Sequence, residues 1–152
     1  MIRPDLSAIA IRRLTAEDRT DWERLFRAYM AFYARDCAEA VYTRAWAGFL
    51  ADTRIHALGA FVGGRLVGIT HFLAHANTSA ADVCYLQDLY TDADSRGHGV
   101  GRALIAAVVA WAGKQGCARV YWMTQQDNAT ARRLYDAVAE NRGFIRYQIE
   151  LA

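Results

Sequence analysis

The sequence predicts a mixed α/β protein with the element order β-α-α-β-β-β-α-β-α-β. Three observations carry this expectation. Apolar residues recur at helical spacing in four segments and at strand spacing between them. The pair Gly63-Gly64 joins two strand-like runs, which gives the sheet an antiparallel start. Later, a strand passes through a glycine-rich turn into a helix and then into another strand, a unit that adds a parallel neighbour.

Each element has its own reason. Ala8 to Leu14 begins with apolar-polar alternation and reads as a strand. Thr15 offers an N-cap, and Asp18 supplies the acidic character that a first turn favours. Trp22, Leu25, Phe26, Tyr29 and Phe32 then fall on one face of a helix. A second helix spans Ala38 to Leu50, with Val41, Tyr42, Ala45, Trp46 and Phe49 on its apolar face and Gly48 as a point of weakness. Ala57 to Val62 and Leu66 to Leu73 form the hairpin, and Ala74 to Ala81 reads as loop. Asp82 to Thr91 is apolar enough for a strand buried on both faces. Residues 92–99 make a polar turn. Val100, Leu104, Val108 and Trp111 form the stripe of a helix that ends at Lys114, with Gly116 as its stop. Arg119 to Thr124 is a further strand. Asn128 caps a helix that buries Ala131, Leu134, Tyr135 and Val138 and ends at Gly143. Phe144 to Leu151 alternates as a last strand.

Composition narrows the class without naming a function. At 152 residues the chain is expected to form one domain, which buries about 70% of its unfolded surface and needs no staple. Hydrophobic residues make up 54% and charged residues 22%, which is globular rather than disordered. Eighteen basic residues oppose sixteen acidic ones, and all the basic residues but Lys114 are Arg. A formal charge of +2 argues against a dedicated nucleic-acid binder. Cys37, Cys84 and Cys117 are odd in number and widely spaced, which fits a reduced, cytoplasmic compartment. The longest strongly apolar stretch, Ala103 to Ala112, is far short of the ~18 residues of a membrane span. Met1 to Asp5 lacks the apolar core of a signal peptide.

Chemistry concentrates between Leu86 and Leu104. Arg96-Gly97-His98-Gly99-Val100-Gly101 lies between a strand and a helix, where free N–H groups and the helix dipole attract phosphate. A Walker loop is absent, and the glycine order does not match a dinucleotide fingerprint. The hexapeptide does fit [RQ]-x-x-G-x-[GA], the pyrophosphate turn of acyl-CoA enzymes.

The chain here resembles the GNAT superfamily of acetyl-CoA-dependent N-acetyltransferases. Three more segments carry the resemblance: the strand Tyr85 to Thr91, the stretch Val120 to Asp136 with its Asn128 and Tyr135, and Gly143-Phe144-Ile145-Arg146-Tyr147. Within the superfamily it looks most like the diamine/polyamine and histone-type amine acetyltransferases. The resemblance spans Ala8 to Ala152. It implies a largely antiparallel central sheet with helices on both faces, acetyl-CoA as co-substrate, a homodimer and no metal.

It also implies residue roles. Leu89, Tyr90, Thr91, Arg96, Gly97, His98, Gly99, Val100, Gly101, Arg102 and Asn128 would hold the coenzyme. Tyr135 would protonate the leaving thiolate. Tyr29 and Tyr33 would wall the amine pocket together with Gln87. Polyamine enzymes carry Glu where this strand has Gln87, and Gln accepts no proton. A base is then left to Asp88, another group or water. By periodicity alone Tyr135 reads as a core residue, Asn128 as a simple cap and Asp88 as a pocket wall. His71 and His75 sit about 13 Å apart on a strand, too far to share a metal. Cys84 reads as inert packing, which favours direct attack by the amine in a ternary complex over an acyl-cysteine route. The expected reaction is acetyl transfer to a primary amine of a small molecule. Acetylation of protein or peptide lysines, and a non-catalytic acyl-CoA sensor, are the competing readings.

Overall fold

The computed structural model describes residues 8–151. Met1 to Asp5, read above for a signal core, lies outside them. Five strands form one sheet in the order of the chain: β1 (Ala10–Arg13), β2 (His56–Val62), β3 (Arg65–His75), β4 (Val83–Thr91) and β5 (Val120–Tyr121). Neighbours pair antiparallel except β4 and β5, which are parallel. Four helices complete it: α1 (Arg19–Phe32), α2 (Glu39–Ala51), α3 (Val100–Lys114) and α4 (Ala129–Val138). None of them is long and apolar enough to cross a membrane.

Packing follows from the apolar stripes. Trp22, Leu25 and Phe26 of α1 and Tyr42, Trp46 and Phe49 of α2 close over Phe61, Leu66 and Ile69. On the other face, α3 sets Val100 and Leu104 over Ala60, Val62 and Val67. Ile105 and Val108, one turn on, meet Phe72, Cys84 and Leu86. Each such side chain contributes about 1.5–3 kcal/mol when taken from water. Gly68 sets how closely α3 approaches the sheet: a Cβ there would lie 2.6 Å from Val100 and 3.1 Å from Leu104. Gly63 and Gly64 both take positive φ to close the hairpin of β2 and β3.

Several expectations need correction. Thr15 caps a short 3₁₀ turn, Ala16–Asp18, and α1 starts beyond it. Gly48 does not break α2; its missing Cβ makes room for Ile55, 2.9 Å from where that atom would lie. β3 continues to His75, into the segment read as loop. β4 is buried only in its first half, because a bulge at Gln87 and an unpaired edge beyond Tyr85 open the second half. β5 is two residues long rather than six. α4 ends at Val138, and Gly143 instead adopts a positive φ in a turn where its N–H donates to Asn141 Oδ1 at 2.9 Å. The α4 residues expected to be buried are only half-buried. Phe144 to Leu151 is not a strand in this chain, since no described segment lies alongside to pair with it.

Gly68→Val should force α3 away from β3 and lower stability by about 1–3 kcal/mol, the usual cost of overpacking. Denaturant unfolding measures this; an unchanged midpoint would contradict the close approach.

Candidate active site

The site begins where the sheet parts. His71 pairs with Asp88 and Phe72 with Leu86, so Gln87 is an extra residue in β4. Such a bulge bends its strand and locally ends regular pairing. β5 matches only Cys84 and Tyr85. From Leu86 to Thr91 the side of β4 facing away from β3 has no strand partner among the described residues. Backbone groups there remain available to a ligand.

The glycine turn stands at the end of this open edge. Gly97 and Gly99 have φ of 79° and 87°, and nothing lies within 4 Å of where their Cβ atoms would be. Gly99 caps α3. The N–H groups of Gly97, His98, Gly99, Val100, Gly101 and Arg102 donate to no other described residue. Six unspent donors at a helix start form a cradle for anions. Gly101 plays a different part. A Cβ there would meet Leu134 at 3.2 Å, and Leu89 and Thr91 at 4.0 Å, so this glycine lets α4 and β4 converge on α3. Val100 is buried in the core, which fixes the turn to the sheet. Asp92 accepts from Arg24 at 3.4 Å and from Arg65 at 3.3 Å, tying the start of the turn to α1 and β3. Arg96 is exposed; its Nε donates to Thr91 O at 3.2 Å, and its guanidinium lies 5.4 Å from the Tyr90 ring. His98 and Arg102 are exposed beside the cradle.

Asp88 is held from beneath. Its Oδ2 accepts from His71 Nδ1 at 2.9 Å, and His71 is 1% exposed. Trp22 Nε1 donates to the other ring nitrogen, Nε2, also at 2.9 Å. An indole N–H only donates, so Nε2 must accept, and the hydrogen of the neutral ring sits on Nδ1, toward the carboxylate. The hydrogen bond from His71 therefore orients the Asp88 carboxylate through Oδ2, and Oδ1 is not engaged by His71. The Asp88 backbone carbonyl accepts from Thr70 Oγ1 at 2.9 Å, which holds the bulge.

Tyrosines surround this carboxylate. Tyr29 and Tyr33 of α1 stack edge to face at 5.1 Å, and Tyr29 meets Tyr90 at 6.1 Å. Burial first, then the charge of Asp88, pushes both α1 phenols up from the ordinary tyrosine value. Tyr135 packs on Trp122 at 5.5 Å, and burial, aided by Tyr33, pushes it up to about 12. The sequence thus brings Asp88, Tyr29, Tyr33, Tyr90 and Tyr135 to one region. Gln87 is not among them: the bulge leaves it exposed. Asn128 caps α4 by accepting from Ala131 N at 3.5 Å, and its amide donates to Thr124 Oγ1 at 3.2 Å. Cys84 is wholly buried, and its thiol is pushed up to about 11 by that burial, so it carries no thiolate near neutrality.

Sequence reading named Trp22 only as a helix-face residue and His71 only as an excluded metal ligand, and it did not foresee their link to Asp88. His75 bonds Tyr121 and Ala76 instead of joining the site. A buried His needs two partners, and the available signal was a lone His inside an otherwise apolar strand.

Comparison with known proteins accords with this arrangement. The model of the Acetyltransferase (GNAT) family matches residues 19–139. A D-amino-acid N-acetyltransferase from Saccharomyces cerevisiae is 30% identical over 145 residues, which cover 92% of this chain and 89% of that protein. Among solved structures, a ribosomal-protein-alanine N-acetyltransferase from Brucella melitensis superposes with a TM-score of 0.77 at 24% identity, covering 95% of this chain and all of that one. AAC(6')-Iy in complex with a CoA-containing bisubstrate analogue superposes with a TM-score of 0.85 at 17% identity, covering 96% of this chain and all of that one. These structural likenesses establish the fold; the family match and the yeast relative establish kinship. The bulged β4, the open edge and the donor-rich turn belong to a member of the GNAT family of N-acetyltransferases.

Proposed function

We propose that the chain transfers the acetyl group of acetyl-CoA to the primary amine of a small molecule, by direct attack within a ternary complex. The observation that carries this reading is the run of six unspent N–H groups, Gly97 to Arg102, beside the open edge of β4. The residues present fit the coenzyme. The cradle has room where Gly97 and Gly99 lack Cβ atoms, and it is built of donors suited to a pyrophosphate. Leu89, Tyr90 and Thr91 would hold the pantetheine arm along the open edge, with Asn128 at the start of α4. Arg96, His98 and Arg102 would neutralise the phosphates. Acetyl-CoA supplies an acyl thioester, an electrophile with a good leaving group.

The chain's own residues do the rest. A free alkyl ammonium has a pKa near ~10.4, so the acceptor arrives protonated. Asp88 attracts that ammonium and takes its proton, directly or through water, with His71 as the positioning residue behind it. Tyr29 and Tyr33 wall the amine pocket and present their ring faces to the cation. A backbone N–H of β4 donates to the oxygen that becomes negative. Tyr135 protonates the departing thiolate. Cys84 takes no part, since a buried neutral thiol is a poor nucleophile. The yeast relative's name favours an α-amino acid as the acceptor within the small-amine class. The enzyme acts as a cytoplasmic homodimer, its three cysteines free.

Acetyl-CoA should bind in titration calorimetry, and Gly99→Val should weaken it at least about tenfold by straining the turn and filling the cradle. No binding by the wild-type chain would end the proposal. Free thiol should appear when a suitable amine is added, and a screen over amino acids, diamines, aminoglycosides and basic peptides identifies the acceptor. Asp88→Asn should lower kcat/KM for the amine about 10²-fold while leaving acetyl-CoA affinity within a factor of two; equal turnover would remove Asp88 from the reaction. Tyr135→Phe should reduce kcat by a similar factor. Because burial raises Tyr135, it keeps its proton across the range in which an ordinary tyrosine, near 10, begins to lose it. Wild-type kcat should therefore hold level or rise from pH 7 to pH 10, and a fall centred near 10 would contradict the assignment.

A further inference from the structure

We propose that the chain holds a second binding site, for a small zwitterion of the amino-acid kind, in the cavity at the C-terminal end of α3 that Arg54 and Asp82 line together with His56 and Trp111. It is separate from the acetyl-transfer site. Trp111 lies about 16 Å along α3 from Val100 and the glycine turn.

The cavity measures about 640 Å³, within the usual span for a small-molecule site. It opens where α2 has ended, β2 begins, β3 runs out and β4 starts. Its aromatic wall is fixed from two sides. The His56 ring lies 4.7 Å from Trp111 and 5.6 Å from Phe72, and Phe72 meets Trp111 edge-on at 4.9 Å. A carboxylate only accepts, so His56 Nδ1 donates to Asp52 Oδ1, at 2.6 Å. Arg13 holds the second oxygen of Asp52 at 3.2 Å. Asp52 reaches both partners from a left-handed φ of 53°, a strained conformation for a residue other than glycine. Such strain gathers where the surrounding structure must hold a side chain in place. With Nδ1 committed to Asp52, the other nitrogen of His56, Nε2, bonds no described residue.

What the cavity leaves uncommitted is one charge of each sign. Arg54 and Asp82 are both exposed, and neither forms an ion pair among the described residues. A free guanidinium presents a planar fork of donors that matches a carboxylate. Asp82 is anchored through its own carbonyl, which accepts from Ala118 N at 2.8 Å, and its side chain suits an ammonium. α3 ends at Lys114, and the next residue, Gln115, lines the cavity, so the negative end of the helix dipole favours a cation there as well. A simple anion would face Asp82 and the helix end, and a simple cation would face Arg54. A molecule that carries both charges answers both. The Trp111 ring and Leu73 supply an apolar wall for its side chain.

The indole N–H signal of Trp111 in the ¹⁵N-labelled full chain reads this cavity directly, and Trp111→Phe assigns it. With L-phenylalanine as the probe, and no acetyl-CoA present, the signal should shift saturably below about 10 mM. Phenylalaninamide lacks the negative charge and N-acetylphenylalanine lacks the positive one. Each should bind at least about tenfold more weakly. Arg54→Ala and Asp82→Ala, both at exposed positions, should each weaken phenylalanine by a similar factor. Asp88→Asn, which alters the acetyl-transfer site, should leave the Trp111 titration within about a factor of two. A Trp111 signal that stays still with phenylalanine overturns the site. Equal affinity for the amide or the acetyl derivative overturns the zwitterion, and titrations unmoved by Arg54→Ala or Asp82→Ala overturn the charge assignment. A Trp111 shift abolished by Asp88→Asn overturns the separation of the two sites. Calorimetry with acetyl-CoA reads the transfer site independently.

Discussion

Much of the structure depends on the ring of His71. It lies on β3 and receives the indole N–H of α1 on one side while giving its own hydrogen to Asp88 of β4 on the other. Phe49 of α2 stacks on it at 4.4 Å, and Phe26 of α1 meets it edge-on at 4.9 Å. One imidazole therefore joins both helices of the first face to the two strands that frame the site. Turning it out would leave a buried indole N–H and a half-buried carboxylate unsatisfied, each at a cost of about 1–3 kcal/mol. That cost is what makes the bulge at Gln87 a fixed feature. The ring holds the residue after the bulge, and Thr70 holds its carbonyl.

Recognition is divided between main chain and side chains. The anion cradle is backbone, so it asks for glycines and a helix start rather than a positive surface. A chain of formal charge +2 could hold a highly charged coenzyme in this way. The proposed acceptor side is built of side chains, one carboxylate among phenols, and those come from elements on both sides of the sheet parting. α1 supplies Tyr29 and Tyr33, while α4 supplies Tyr135. On that proposal, substrate preference would change there while the cradle stays the same.

Reading the sequence recovered what is local. Helical stripes placed α1 to α4 within a few residues, and Gly63-Gly64 placed the hairpin. The glycine turn stood out because its residues are contiguous. Long-range facts were less legible. The bulge depends on register between β3 and β4, which no single strand encodes. The link from Trp22 through His71 to Asp88 spans separations of 49 and 17 residues. Asn128 showed the reverse: its cap was evident, but that both ends of its amide are engaged was not. The alternation of Phe144 to Leu151 predicted a last strand, and the described residues form none there. Alternation describes which residues share a face, and pairing needs a neighbouring strand that the segment itself does not encode.

Lys114 ends α3, about 21 Å along the helix from the glycine turn. It is the sole lysine among eighteen basic residues. Guanidinium groups stay protonated and do not attack thioesters, so the other seventeen provide charge without nucleophilicity. An acetyltransferase surface furnished in this way presents a single side-chain amine to its own reagent, and presents it at the far end of the helix. Its surface charge would thereby be insulated from stray acylation by a thioester. Arginine does here what lysine does on most proteins, in a form the reaction leaves untouched.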